Sequence, residues 1–567
     1  MMQILGCFNK NKNNFNFYPS SDDNSLTAKK NYMFSNRKVF IHIDGIVTKL
    51  SDKVITLTKN LKSLDEKIAY LYYLDFNIES NICGSFNIFL FDFSKKKLKI
   101  IRDTRGTRSL FYANNREDFI FSSDQNAIIK KIKKVSLNKG KLLEFLNWDY
   151  KSNNETYFNE IFRAQPGHYL TFSNNTLISK SYSLSNQVFQ VNKNNDLKEN
   201  FKKSLYRSVI GMADKNKRIG VMMSGGLDSS AIAIALKENN YKNVRTYSAN
   251  FKHLKNSSVI DETIYQRNIT EFTKFPHSFV QMKGRSPILP IINFTKILCQ
   301  PILFPNIYIF EEIVSKLKKD NVEVILDGSD GDNTVSHGFE VIYHYFKKLR
   351  FIKFIKEIYL YSKFVGGSFR RLLYTFTKQA IKQILKIRQV ESKSSILKNN
   401  LVLEKNHNNI ITFFSSHKKK LSIDLHFQAN ENRNDFFRYF NIENFSPFYD
   451  EELINFCLNM PNEKKLNNGI TRKVLRDFLI DFLPEDHAKR HKSILTPGLL
   501  ENFTNSDLKI SKAELKNINK NLLSILDIEN FKNIIKKVEK ENKITEEELI
   551  NIQIFISANT FLNFYNL

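Results

Sequence analysis

A two-part α/β chain is predicted: a β-rich first third, then a parallel sheet flanked by helices and a mostly helical remainder. Three observations carry this. Short strand-like segments separated by turns fill roughly the first 185 residues. Between Ile219 and Gly328, apolar strand patterns alternate with helical ones, as in an open parallel sheet. After Asn333 a helical pattern prevails to the C-terminus.

In chain order, KVFIHIDGIV (Lys38–Val47) and SFNIFLFDF (Ser85–Phe93) are rich in β-branched and aromatic residues. KLKIIRD (Lys97–Asp103) follows across SKKK, which suits a hairpin. FIFSSD (Phe119–Asp124) and GHYLTF (Gly167–Phe172) continue the pattern, and QVFQVNKNND (Gln187–Asp196) is a linker by composition. A helix is expected from Asp196 to about Ala213. Ile219–Met223 is a buried strand, Ser229–Glu238 a helix, Asn243–Phe251 a strand, Asp261–Phe272 a helix and Val322–Gly328 a strand. No internal repeat is evident.

The 567 residues suffice for two or three domains, and 42% hydrophobic with 25% charged residues fits a soluble globular chain. No apolar run reaches the roughly 18 residues of a membrane helix; Ile288–Val314 is broken by Lys296, Gln300, Pro301 and Pro305. The N-terminus lacks the pattern of a secretory signal. Cys7, Cys83, Cys299 and Cys457 lie far apart, without zinc spacing or a disulfide framework, so a cytoplasmic protein is expected. The net charge of +28 fits an anionic partner, and fits equally a general bias toward Lys.

The sharpest feature is SGGLDSS (Ser224–Ser230) between an apolar strand and a helix. Two glycines allow a tight turn and close approach of the backbone to a ligand. Free N–H groups at the helix start favour an anion such as pyrophosphate. Ser224, Ser229 and Ser230 add hydroxyls. Asp228 is an odd neighbour for a phosphate alone, but suits a magnesium ion shared with nucleotide phosphates. A second segment, LDGSDGDNTVSHG (Leu326–Gly338), ends a strand in a Gly/Asp-rich loop. In open α/β sheets ligands bind beyond the carboxyl ends of strands, which puts Asp327, Asp330 and Asp332 in a suitable place. A solvated turn is the alternative for that loop.

Several ordered segments resemble the asparagine synthetase family, whose synthetase domain is a PP-loop ATP pyrophosphatase. They are the phosphate loop itself, FNIFLFDFSKKKLKIIRDTRGTRSLFY, FNEIFRAQPGHYLTF, DETIYQRNITEF with His277, IENFSPFYDEELINFCLNMP and LPEDHAKRHK. The resemblance implies an Ntn-hydrolase-like β-sandwich over residues 1–186, of the type 2 glutamine amidotransferase kind but degenerate. It implies a Rossmann-like PP-loop synthetase domain over 196–567. It makes ATP and Mg2+ the cofactors, with Ser224, Gly225, Gly226, Asp228, Ser229 and Ser248 binding the nucleotide and Asp228 with Asp332 holding the metal. Glu443 is implied as a catalytic carboxylate, and Lys492 as a cation for charge building on the α-phosphate.

Some departures bear on the substrate. Asp327, Asn333 and Ser336–Gly338 replace family residues in a loop that lines the family's substrate cavity, and Phe445 stands where the family has Arg. Glutamine-hydrolysing members begin Met-Cys-Gly, whereas this chain begins Met1-Met2-Gln3. A thioether cannot become the nucleophilic thiolate, and Cys7 is internal. No glutamine hydrolysis is therefore expected. The resemblance points to branches whose amine is part of the substrate, such as β-lactam synthetase and lasso-peptide macrolactam cyclases. An asparagine synthetase using free ammonia, and a catalytically silent binding homologue, are the alternatives.

Residues 341–420 carry 18 Lys/Arg against 3 Asp/Glu, with aromatics interleaved. FIKFIKEIYLYSKF reads as an amphipathic helix. This basic insertion is either a solvated face or a dock for an acidic precursor peptide, a partner protein or a membrane surface. No nucleic-acid motif accompanies it.

Overall fold

The computed structural model describes residues 4–11, 14–18, 30–148, 154–185, 196–251, 262–385, 396–398, 401, 414–421, 424–491 and 496–567. The linker Gln187–Asp196 lies outside them except for Asp196, as do Met2, Asp261 and Lys492.

The N-terminal part contains β1 (Leu5–Asn9), β2 (Asn14–Tyr18), β3 (Lys30–Phe34), β4 (Arg37–Leu50), α1 (Leu64–Tyr73), β5 (Ile82–Asp92), β6 (Lys97–Arg102), β7 (Phe111–Asn114), β8 (Asp118–Ser122), α2 (Gln125–Ile132), β9 (Phe162–Arg163), β10 (His168–Ser173) and β11 (Thr176–Ser181). They form two antiparallel sheets, ordered β2-β1-β8-β7-β9 and β11-β10-β6-β5-β4-β3. Period-2 patterning explains the layering. Phe89 and Phe91 of β5 join Phe8, Phe119, Phe121 and Phe172 in one core. Their neighbours Ile88 and Leu90 join Ile68 and Leu71 of α1 in another. Phe119 and Phe121 of β8 likewise face the opposite sheet, whereas Ile120 packs with Ile128 of α2. The expected sandwich is therefore present, with a helix on each outer face.

The second part begins with α3 (Leu197–Met212), capped by the Asp196 carboxylate, which accepts from the N–H groups of Lys198 and Glu199. Next come β12 (Ile219–Met222), α4 (Leu227–Glu238), β13 (Val244–Asn250), α5 (Thr263–Thr273), β14 (His277–Gln281) and β15 (Val324–Leu326). Then follow α6 (Phe339–Lys347), α7 (Phe351–Val365), α8 (Phe369–Ile384), α9 (Asp424–Tyr439), β16 (Glu443–Phe445), α10 (Lys473–Leu479) and α11 (Glu546–Phe564). Five strands pair in parallel in the order β14-β13-β12-β15-β16. The sequence pattern showed three of them. Three-residue β16, Glu-Asn-Phe, is too short for a period to be read. Helix α4 starts two residues earlier than expected, so Asp228 lies in its first turn rather than before it.

Every residue from Ser229 to Leu236 in α4 is buried, as is every residue from Ile552 to Leu562 in α11. Largely apolar helices buried on every side belong inside a core, and Gln553, Ser557 and Asn559 of α11 are hydrogen-bonded there. Residues expected to form the basic insertion fold in part into α6, α7 and α8, packed around Phe354, Ile358, Phe376 and Ala380. No helix among the described residues is long and apolar enough to cross a membrane.

Candidate active site

The loop Ser224–Gly226 leaves β12 at the carboxyl edge of the sheet and turns into α4. Gly225 adopts φ +85°, a left-handed conformation that suits glycine. Gly226 caps α4 with no side-chain hydrogen bond, so the first turn offers N–H groups to an anion. The loop is held from within. The Ser229 and Ser230 hydroxyls donate to the Gly226 carbonyl at 3.1 and 2.6 Å. His487 Nε2 lies 3.0 Å from the Ser230 hydroxyl, and burial followed by the nearby Arg490 charge pushes its pKa down to about 4, so the ring is neutral near pH 7. Ser248 is buried on β13, where its hydroxyl donates to the Met223 carbonyl; it braces the strand end rather than lining the space above the loop.

The Asp/Gly loop after β15 separates its aspartates. Asp327 is buried against Arg433 at 3.1 Å and accepts from Asn444 and Ser446. Burial opposes its ionisation, but Arg433 holds its pKa below the usual carboxylate range. Asp330 accepts from Asn333 and faces Arg105 of the N-terminal part at 4.0 Å. Asp332 alone of the three joins Asp228. A Cβ on Gly331 would lie 2.1 Å from Asp228 Oδ1, so the second loop meets the first only because that residue is glycine.

Arg472 lies between the two carboxylates. Its guanidinium pairs with both Asp228 oxygens and donates to Asp332 Oδ1 at 2.5 Å. His337 Nε2 is 3.6 Å from the same Asp332 oxygen. Arg476, four residues on along α10, donates to the carbonyls of Thr471, Ala488 and Arg490 at 2.8, 2.6 and 3.0 Å. Burial, and then the like charge of Arg472, push its pKa down to about 10, still charged near neutral pH. Arg490 donates to the Gly225 carbonyl, pairs with Glu262 and stacks 4.3 Å from the Tyr265 ring.

These groups surround a cavity of about 440 Å³. Ser224, Gly226, Asp228 and Asp332 form its floor. Its other walls include Arg472, Arg476 and Arg490, and also Tyr361, Phe364 and Val365 at the end of α7 in the basic insertion. Phe364 lies edge-on to His491 at 4.8 Å and beneath the Arg476 guanidinium at 5.0 Å. The insertion is therefore part of the site, which its charge pattern alone did not indicate. The three arginines were also unassigned from sequence. The i, i+4 spacing of Arg472 and Arg476, in TRKVLR, was the available signal.

Glu443 has a different setting. It begins β16 opposite Val324, which in turn pairs with Ile219, so it sits at the amino end of these strands. Its carboxylate pairs with Arg108 of the N-terminal part, and Arg108 also reaches Asp44 at 2.8 Å. Glu443 is buried and is not among the residues lining the cavity. Around it, Arg438 reaches Asp44 at 3.0 Å, and Arg102 and Arg163 reach Glu431 at 3.3 and 3.0 Å. Lys492, expected as the second catalytic group, lies outside the described residues.

The paired carboxylates fit a divalent ion. Magnesium is commonly held by one or two protein carboxylates together with substrate phosphates. Asp228, in the first turn of α4, and Asp332, in the segment after β15, both reach the Arg472 guanidinium, and the glycine at 331 leaves room for Asp228. Among the described residues there is no cluster of three or more His, Cys, Asp or Glu suited to hold a metal by itself, so phosphate oxygens would complete the shell.

The asparagine synthase family model matches residues 200–563, and a glutamine amidotransferase domain model matches 74–183. The putative glutamine-hydrolyzing asparagine synthetase 2 of Methanocaldococcus jannaschii is 26% identical over 275 residues, 47% of this chain and 52% of that protein. The glutamine-hydrolyzing asparagine synthetase 2 of Bacillus subtilis is 25% identical over 227 residues, 35% of this chain and 30% of that protein. The chain thus spans about half or less of these relatives' lengths. Among solved structures, the glutamine phosphoribosylpyrophosphate amidotransferase of B. subtilis overlaps 58% of this chain and 85% of its own, at 10% identity and a TM-score of 0.24. With the match extending from residue 200 to 563, this chain belongs to the asparagine synthase family.

Proposed function

We propose that this chain is an ATP-dependent amide-forming ligase acting through an acyl-adenylate. The observation that carries the reading is the meeting of Asp228 and Asp332, from separate loops, above an uncapped helix start at the carboxyl edge of a parallel sheet. The triphosphate would lie on Ser224–Ser229, with the N–H groups of α4 and the Arg476 and Arg490 guanidinia facing its negative charge. Asp228 and Asp332 would hold Mg2+, which neutralises phosphate charge when bound. A substrate carboxylate oxygen attacks the α-phosphorus, and the bond to pyrophosphate breaks. An amine nitrogen then attacks the acyl carbon. AMP departs with the carbon–oxygen electron pair, and the nitrogen loses a proton to solvent or a base. The aromatic wall of Tyr361 and Phe364 would limit water, which otherwise hydrolyses the adenylate.

The amine is taken to be carried by the substrate, as in peptide macrolactam or related natural-product synthesis. In support, the two N-terminal thiols are poorly suited as nucleophiles. Burial and then Asp118 push the Cys7 pKa up to about 11, and burial holds Cys83 well above its usual value. The relatives' printed names favour a second reading, synthesis of asparagine from aspartate. Both are tested by pyrophosphate release from the full chain with Mg·ATP. One arm supplies aspartate with ammonium or glutamine, and the other supplies carboxylate-bearing peptides with an internal amine. Glutamate release from glutamine would remove the substrate-borne amine. Pyrophosphate release unchanged by Asp228→Ala would remove the ligase reading.

A further inference from the structure

Large apolar side chains are unusually exposed on the insertion. Nine of the exposed ones among the described residues lie between Leu349 and Leu385. Ile352 is 85% and Leu349 73% exposed. On α7, Ile352, Ile355 and Tyr359 follow an i, i+3, i+7 spacing on the outer face, whereas Phe354, Ile358 and Ser362 point into the small helical core. Lys356, four residues after Ile352, lies within the apolar strip, and Lys353 borders it. Helix α8 repeats the arrangement with exposed Tyr374 and Ile381 and Lys378 between them. Residues 341–385 hold ten Lys/Arg and one acid, Glu357. The Glu357 carboxylate accepts from the Gly469 N–H at 2.8 Å, so that charge is turned toward the protein body.

We propose that the outer face of α7 and α8 docks on an anionic lipid surface. Exposed aliphatic and tyrosyl side chains interleaved with lysine on one helical face suit a layer with anionic headgroups above and acyl chains below. A strip of this kind presents cations and apolar groups together. An acidic peptide would satisfy the cations but would leave Ile352 and Leu349 largely in water unless it were itself amphipathic. No described helix is long and apolar enough to cross a membrane, and the docking proposed here is through the surface strip alone. The same α7 ends at Tyr361, Phe364 and Val365 in the cavity wall. Strip and cavity wall thus share one helix of fifteen residues, about 22 Å long, with Tyr359 of the strip two residues before Tyr361 of the wall. Docking there would favour an amphiphilic substrate, a consequence that rests on the ligase reading, whereas docking itself does not.

The test is co-sedimentation of the full chain with phosphatidylglycerol/phosphatidylcholine vesicles and with pure phosphatidylcholine vesicles. Binding is expected only to the anionic vesicles, weakening with salt. Lys353→Glu with Lys356→Glu should reduce partitioning at least tenfold, and Ile352→Asp with Ile355→Asp should do likewise. Both variants should keep the parent's melting temperature. Failure to bind anionic vesicles, or binding insensitive to both double variants, overturns the proposal. Binding of an acidic amphipathic peptide probe in place of vesicles would overturn it in favour of a protein partner.

Discussion

The seam between the two parts and the cavity above the phosphate loop are built from the same chemistry, arginine against carboxylate, but to different ends. At the seam, Arg102, Arg108, Arg163 and Arg438 are enclosed with Asp44, Glu431 and Glu443. Burial works against the ionised form of Asp44, yet Arg438 and Arg108 hold its pKa down, and Arg163 and Arg102 do the same for Glu431. In the cavity, the Asp228 and Asp332 side chains remain 18% and 25% exposed and open onto space for a ligand. Arg476 there is bound to carbonyls and a ring rather than to a carboxylate in the contacts seen. A charge network closed on itself fixes geometry. One with partly exposed carboxylates and additional arginines leaves charge facing an open cavity, as the proposed ligase function requires.

The comparison breaks most visibly at Asp228. Asp228→Ala is expected to lower pyrophosphate release at least a thousandfold, about 4 kcal/mol or more in transition-state stabilisation. Asp332→Asn should lose about a hundredfold or more; both changes take a partner from the buried Arg472 guanidinium, so the unfolding midpoint should fall as well, more for Asp228→Ala than for Asp332→Asn. Steady-state pyrophosphate assays and thermal melts read both quantities.

Arg108→Met should do the opposite. Leaving Glu443 without its ion-pair partner, and Asp44 with Arg438 alone, is expected to cost about 3–5 kcal/mol in denaturant unfolding. Adding Glu443→Gln should recover part of that loss. If Glu443→Gln alone abolishes turnover while leaving stability intact, the seam contributes to the chemistry as well, and the contrast drawn above fails.

Arg476→Gln is expected to raise the KM for ATP about tenfold, near 1.4 kcal/mol, with a smaller change in kcat, as measured by initial rates over nucleotide concentration.

The remaining effect is one of pH on stability. Burial, and then Glu431 one turn away, push the Asp435 pKa up to about 7, against 3.8 for the free group. Between those values the folded chain holds a proton that the unfolded chain has lost, so this group's contribution to stability falls as pH rises toward 7. Asp435→Asn removes that dependence. It should stabilise by about 1–3 kcal/mol at pH 8, with less or no gain at pH 5, in paired denaturant titrations.

Part of this was legible locally. The sandwich strands announce themselves because burial on one face of a pleated sheet forces alternation, as Phe89 and Phe91 alternate with Ile88 and Leu90. SGGLDSS was legible because a tight turn into a helix start uses neighbouring residues only. Asp332 could be singled out among three aspartates only through the family resemblance, since Asp327 and Asp330 share its local composition and differ in their partners. Strand β16 escaped notice because three residues carry no period.

By itself, the sequence determined the strand alternation, the glycine-bearing turn into α4 and the basic, aromatic character of α7, all of which depend on spacing along the chain. Tertiary structure alone decided that Arg472 bridges Asp228 and Asp332, that Arg108 claims Glu443, and that Phe364 walls the cavity. Those partners lie more than a hundred residues apart, and no local periodicity records which distant side chain will fill a given space. That choice is made by packing and by the need of each buried charge for an opposite one.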